Sequence, residues 1–109
     1  MGNDLKGFFQ KNTPDGWEFV PDNYSDWRSR QLNDWLVTIV APRGLPKNVN
    51  KDEVELYCGA VQPSWLTSEE ILAASLPEKP GELLLEFVSE TKCLHNLYGV
   101  VRYIYAFDC

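Results

Sequence analysis

Tyr98-Gly99-Val100-Val101-Arg102-Tyr103-Ile104-Tyr105-Ala106-Phe107 is the stretch on which the fold turns. Val101, Tyr103, Tyr105 and Phe107 fall at every second position, so a strand from Tyr98 to Phe107 puts all four on one face. Just upstream, Glu82 to Glu90 also alternates, with Leu83, Leu85 and Phe87 on one face and Glu82, Glu86 and Glu90 on the other. Read as strands, the two segments are joined by a hairpin-like loop, Thr91 to Leu97. The three glutamates then mark a partly wet sheet face, with a helix needed only on the other.

Towards the N-terminus, Leu66-Thr67-Ser68-Glu69-Glu70-Ile71 is a helix start. Thr67 and Glu70 have capping-box spacing, and Leu66 can pack on Ile71 as a hydrophobic staple. The helix runs to about Leu76, where Pro77-Glu78-Lys79-Pro80-Gly81 ends it. Val54 to Val61 reads as a strand with Val54, Leu56, Cys58 and Ala60 on one face. Trp35 to Ala41 is β-branched and uncharged, which predicts a central strand stopped by Pro42 before a polar loop to Lys51. From Asp22 to about Asp34, Tyr24, Trp27, Gln31/Leu32 and Trp35 recur at helical spacing. Trp17 to Val20 is a short strand after the turn Thr13-Pro14-Asp15-Gly16. Leu5, Phe8 and Phe9 give residues 1–16 a small apolar face, predicting a loosely packed, briefly helical start. Strands without regular βαβ alternation predict one α+β domain over 1–109: an antiparallel or mixed sheet of four to five strands with two helices.

Of the 109 residues, 44% are hydrophobic and 24% charged, enough apolar material to exclude wholesale disorder. No window nears the ~18 apolar residues of a membrane span, and the polar start has no signal-peptide core. The expected setting is cytoplasmic, with no membrane contact. The pattern at Gly2 fails for myristoylation because Lys6 stands where Ser or Thr is needed. Asn23-Tyr24-Ser25 matches a glycosylation acceptor that a chain without a secretory signal does not use. The net charge of −6 is unevenly spread. Residues 1–51 carry six acids and seven bases, a net of +1, whereas residues 52–109 carry ten acids and three bases, a net of −7. This field opposes direct nucleic-acid binding, even though Trp27, Arg28, Arg30, Arg43, Lys47 and Lys51 interleave bases with an aromatic. The acidic half is either an ordinary solvated face or a surface that meets a basic partner.

Candidate chemistry is sparse. Cys93 and His95, the only histidine, could pair as a thiolate nucleophile and its base, without any matching hydrolase signature around them. Adding Cys58 and Cys109 gives a Cys₃His set that lacks the close C-x₂-C pair of zinc sites, so no metal and no cofactor is expected. Three cysteines without a secretory signal read as reduced thiols. Glu69/Glu70, Asp52/Glu53 and the Glu82/Glu86/Glu90 row offer paired carboxylates, but nothing in the pattern sets their pKa values apart. No phosphate-binding glycine loop, nucleophile elbow or zinc-protease motif is present.

Trp17, Trp27, Trp35 and Trp65, with five tyrosines and five phenylalanines, are more aromatic area than a small core readily encloses. The surplus predicts exposed anchors: Trp27 with Arg28 and Arg30, then Trp65, then Tyr103 and Tyr105 on a C-terminal strand that could lie at a sheet edge. With Glu82, Glu86 and Glu90 these are the candidate partner-binding residues. The expected function is a small acidic protein-binding module that regulates or inhibits a partner by occupying its basic surface. A phage-type inhibitor of a nucleic-acid-handling complex is one special case. The alternatives are a thiol-dependent enzyme using Cys93 and His95, or a structural subunit, in its simplest form a homodimer through the C-terminal strand.

Overall fold

A computed structural model describes residues 4–40, 42–57 and 61–108, with side chains described except at 4, 21–28, 56–57, 61–62 and 108. The elements in chain order are β1 (Asp4–Thr13), β2 (Gly16–Arg28), α1 (Arg30–Ile39), α2 (Lys51–Tyr57), β3 (Val61–Thr67), α3 (Ser68–Ala73), α4 (Glu82–Tyr98) and β4 (Val101–Asp108). The strands form one antiparallel sheet in the order β2-β1-β4-β3. The α+β class therefore stands, with two long helices and two short ones. A radius of gyration of 12.9 Å is that of a compact domain of this length.

The predicted last strand is β4, but it lies inside the sheet rather than at its edge. It pairs with β1 on one side and β3 on the other, so it has no free edge through which two copies could join. Val101, Tyr103 and Tyr105 do share a face, and all three are buried there. The opposite face of β4 is covered as well: Arg102 is 4% exposed and Ile104 is fully buried.

This two-sided burial explains the N-terminal segment, which is β1 and not a loose helical start. Leu5, Phe8 and Phe9 are all fully buried. Successive strand residues point to opposite faces, so the adjacent Phe8 and Phe9 fill one core each. Phe9 stacks on Phe87 and meets Tyr103 at a tilt on the side of α1, α3 and α4, while Phe8 meets Phe19 on the other. On that second side Glu53 of α2 accepts a hydrogen bond from Gln10 at 3.1 Å, placing α2 over it. The predicted turn closes the β1–β2 hairpin. Thr13 Oγ1 donates to the Gly16 carbonyl at 2.8 Å and accepts the Asp15 N–H at 3.2 Å, while Gly16 takes φ +118°, a conformation side chains resist.

Three other expectations are corrected. Residues 16–28 form one long strand, and the helix expected over 22–34 begins instead at Arg30, where Ser29 Oγ accepts the Leu32 N–H at 3.1 Å. Helix α1 then takes in residues 35–39 of the expected strand 35–41, with Val40 as its extended cap and Ala41 outside the described residues. Leu32, Trp35 and Leu36 are buried at i, i+3 and i+4, while the β-branched Val37 is 41% exposed. Amphipathic packing overrides the strand propensity of Val37, Thr38 and Ile39. The expected strand over 54–61 is largely helix α2, capped by Asn50 Oδ1, which accepts the Asp52 and Glu53 N–H groups at 2.9 and 3.3 Å. Cys58 and Ala60 lie outside the described residues.

The largest correction is Glu82 to Glu90. It is the first half of helix α4, with Leu84, Phe87, Thr91 and Leu94 buried at i, i+3, i+7 and i+10. Leu85, expected to face the core, is 46% exposed. The loop expected over 91–97 continues the same helix, which ends at Gly99 with φ +81°. Helix α3 forms with both halves of the predicted capping box, although it ends at Ala73 rather than near Leu76.

Candidate functional site

The outer face of α4 carries the acidic row. A four-residue step turns an α-helix by about 400°, so Glu82, Glu86 and Glu90 drift only ~40° per step and remain one stripe. The acidic row therefore lies on a helix rather than on the sheet. Glu82 and Glu86 are exposed and Glu90 is half-buried. Leu83, Leu85 and Leu97 add exposed apolar area along the same helix, Leu97 at 69%. Among the described residues no lysine or arginine pairs with the three glutamates. Partial burial, followed by the charge of Glu86, raises the Glu90 carboxyl above the usual carboxylate value.

An acid with a raised folded-state pKa contributes stability only while protonated, and loses that contribution as pH climbs through the window between its ordinary and raised values. Glu90→Gln is therefore expected to raise the melting temperature at pH 7. The gain disappears at pH 3, where Glu90 is protonated in both folded and unfolded chains. Thermal melts at the two pH values read this directly. An unchanged melting temperature at pH 7 would contradict the placement of Glu90.

A second cluster is organised by Arg43. Its guanidinium lies 4.2 Å from the Trp65 ring centroid, donates from Nε to the Trp65 carbonyl at 2.9 Å, and meets Glu70 Oε1 at 2.6 Å. The Arg43 N–H also donates to Ser64 Oγ at 3.2 Å, and Gly44 N–H to the Pro63 carbonyl at 3.0 Å. This stretch therefore closes the outer edge of β3. Burial works against the charge of Glu70. The Thr67 N–H and Arg43 outweigh it and hold the carboxyl below its ordinary value.

A third feature is a groove beside α1. Trp35 Nε1 donates to the Ser75 carbonyl at 2.9 Å. Gln31 bridges to the next segment, donating to the Lys79 carbonyl at 3.0 Å and accepting the Gly81 N–H at 2.6 Å. Two adjoining clefts of about 500 Å³ each flank the Trp35–Ser75 tie.

The other sequence candidates are scattered. Tyr103 and Tyr105 are corrected from edge anchors to core residues, at 0% and 1% exposure. Burial raises the Tyr105 hydroxyl pKa, a bond with Ser64 opposing it. Trp65 is half-buried beneath Arg43 on the edge strand β3. Arg30 is exposed at the start of α1 and lies 4.0 Å from Asp34. The side chains of Trp27 and Arg28 lie outside the description. Among the described side chains the structure brings together the glutamate row on α4 and, inside the core, the stacked pair Tyr103 and Tyr105.

The structure places Cys93 and His95 on different sides of α4. Residues two positions apart on a helix lie about 200° from each other around the axis. Cys93 is exposed, whereas His95 Nδ1 meets Ser68 Oγ at 2.7 Å. Ser68 Oγ also accepts the Val101 N–H at 3.1 Å. Ser68 is fully buried, and the trio pins α3, the end of α4 and the start of β4 together. Of the Cys₃His set, Cys58 and Cys109 lie outside the described residues.

Two arrangements were not visible in the residue pattern. Arg102 donates from Nε to Gln10 Oε1 at 2.7 Å and lies 4.4 Å from the Trp17 ring centroid. Desolvation lowers its pKa to about 10, against the pull of Glu53, so it stays charged at neutral pH and links β4 to β1 and α2. The Trp35 groove is the other. Its signal was the spacing Gln31, Asp34, Trp35, Thr38, Ile39, a helical stripe hidden under β-branched residues. Set against family models, curated proteins and solved structures, the chain matches none.

Proposed function

We propose that the chain is a small protein-binding module that regulates or inhibits its partner by laying the outer face of α4 against that partner's basic surface. The observation that carries this reading is the Glu82/Glu86/Glu90 stripe flanked by exposed Leu83, Leu85 and Leu97, with no cation paired to it among the described residues. Like charges four apart on a helix each cost roughly 0.2–0.5 kcal/mol, so the bare stripe is a standing strain. A partner's lysines and arginines relieve it, and its apolar residues cover the leucines. Acidic charge of this kind acts mainly on encounter rate and partner choice, with the leucines supplying contact area. A narrower form is a phage-type inhibitor, in which the basic surface is one that handles nucleic acid; there, nucleic acid and this chain compete for the partner.

The test is capture from source-cell lysate with the full chain and with its Glu82→Lys/Glu86→Lys/Glu90→Lys variant. The parent chain is expected to retain a specific protein at low salt and release it at high salt, and the variant to retain at most about a tenth as much. Equal capture by the two chains would overturn the proposal.

A further inference from the structure

Resting on that reading, we infer that the groove beside α1 holds a short extended segment of the partner, with a lysine or arginine at each end and apolar residues between. One cleft is lined by Trp35, Thr38, Ile39, Glu70, Ala73, Ala74 and Ser75. Its neighbour shares Trp35, Thr38 and Ser75 and adds Gln31, Asp34, Leu76 and Pro77. The combined lining thus has a carboxylate towards either end, a floor of small and apolar side chains, and no lysine, arginine or histidine. An apolar trough bounded by two acids selects a cationic occupant and rejects an anionic one.

The two acids are also available. Asp34 lies in an exposed pair with Arg30 at 4.0 Å, a separation at which little is lost on exchanging partners. Arg43 and Thr67 all engage Glu70 through Oε1, leaving Oε2 free of them. The α1 residues of the groove run from Gln31 to Ile39, about 12 Å at helical rise, which an extended chain spans in roughly four residues. Gln31 also accepts the N–H of Gly81, the residue that caps α4. The groove therefore ends where the acidic stripe begins, and one basic partner can run from one to the other.

The test uses the full ¹⁵N-labelled chain and two synthetic probes, acetyl-Arg-Leu-Leu-Arg-amide and acetyl-Glu-Leu-Leu-Glu-amide. The basic peptide is expected to shift the Trp35 indole N–H and the Thr38, Ala73, Ser75 and Leu76 amides saturably, and the acidic one to leave them unmoved. Ala73→Arg, at an exposed position, places a cation in the groove and is expected to weaken the basic peptide about tenfold or more. Asp34→Asn weakens it by a smaller factor and guards against misfolding of the first variant. Shifts centred elsewhere, equal binding of the acidic peptide, or indifference to both substitutions would overturn the groove. The α4 triple lysine variant separates the two ideas: the groove predicts peptide affinity within about twofold of the parent, whereas the function proposed for α4 predicts loss of the captured partner. Peptide failure with partner loss defeats the groove alone; peptide binding with undiminished partner capture defeats the α4 reading alone.

Discussion

Gly7→Ala is expected to destabilise the fold by on the order of 3 kcal/mol, lowering the melting temperature by roughly 10 °C or more. A Cβ at Gly7 would lie 2.5 Å from the carbonyl oxygen of Ile104 and 2.6 Å from both Cζ and the hydroxyl oxygen of Tyr103. Neither neighbour can yield. The carbonyl belongs to β4, the strand held between β1 and β3. The Tyr103 ring is fixed by Phe9, Phe87 and Tyr105, with centroids 4.7, 4.9 and 5.6 Å away. The entropy that alanine removes from the unfolded chain offsets only about 0.4–1 kcal/mol. Urea denaturation reads the result, and a variant as stable as its parent would mean that Tyr103 does not lie over Gly7.

Phe87→Ala is expected to cost about 3–5 kcal/mol, a large share of the ~5–15 kcal/mol that a domain of this kind commands. Phe87 is fully buried and touches Phe9 and Tyr103, so its loss opens a cavity in the middle of the aromatic cluster. The informative comparison is Leu85→Ala. A strand over 82–90 puts Leu85 and Phe87 on the same buried face and predicts substantial losses for both. Helix α4 leaves Leu85 46% exposed and predicts a change within about 0.5 kcal/mol. Two denaturation curves distinguish helix from strand at this site, and comparable losses at both positions would contradict the helix.

That segment shows what the residues disclosed and what they concealed. In ELLLEFVSE, period two and period 3.6 are both satisfied by glutamates four apart, so the acidic row was legible although its element was not. The buried set Leu84, Phe87, Thr91 and Leu94 crosses the boundary that had been drawn at Glu90, and Thr91 conceals itself as polar. Its hydroxyl is satisfied within the helix by the Phe87 carbonyl at 2.8 Å. Local chemistry was the dependable guide where it was complete. The Thr67/Glu70 box and the Thr13–Gly16 turn each close their own hydrogen bonds, and both form as expected.

Long-range pairing was the hidden part. Nothing near Leu5 or Phe9 announces that β1 lies between β2 and β4, and a strand buried on both faces loses the alternation that identifies strands. For the same reason the pattern alone leaves Tyr103 and Tyr105 equally compatible with a sheet edge. Strand order, not strand content, decides whether a tyrosine meets solvent. The Ser68–His95 contact and the Arg102–Gln10 contact join residues far apart in the chain, and no spacing rule reaches them.

Under the proposed function, the acidic stripe of α4 is the surface that meets a basic partner. Zero-length carbodiimide coupling of the captured complex tests it most directly, since the reagent joins a carboxylate only to an amine already in contact with it. Mapping the linked peptides by mass spectrometry is expected to place partner lysines on Glu82, Glu86 and Glu90, with the yield collapsing at high salt. Linkage concentrated instead at Asp15, Glu18 or Glu55, with the α4 glutamates unmodified, would contradict it.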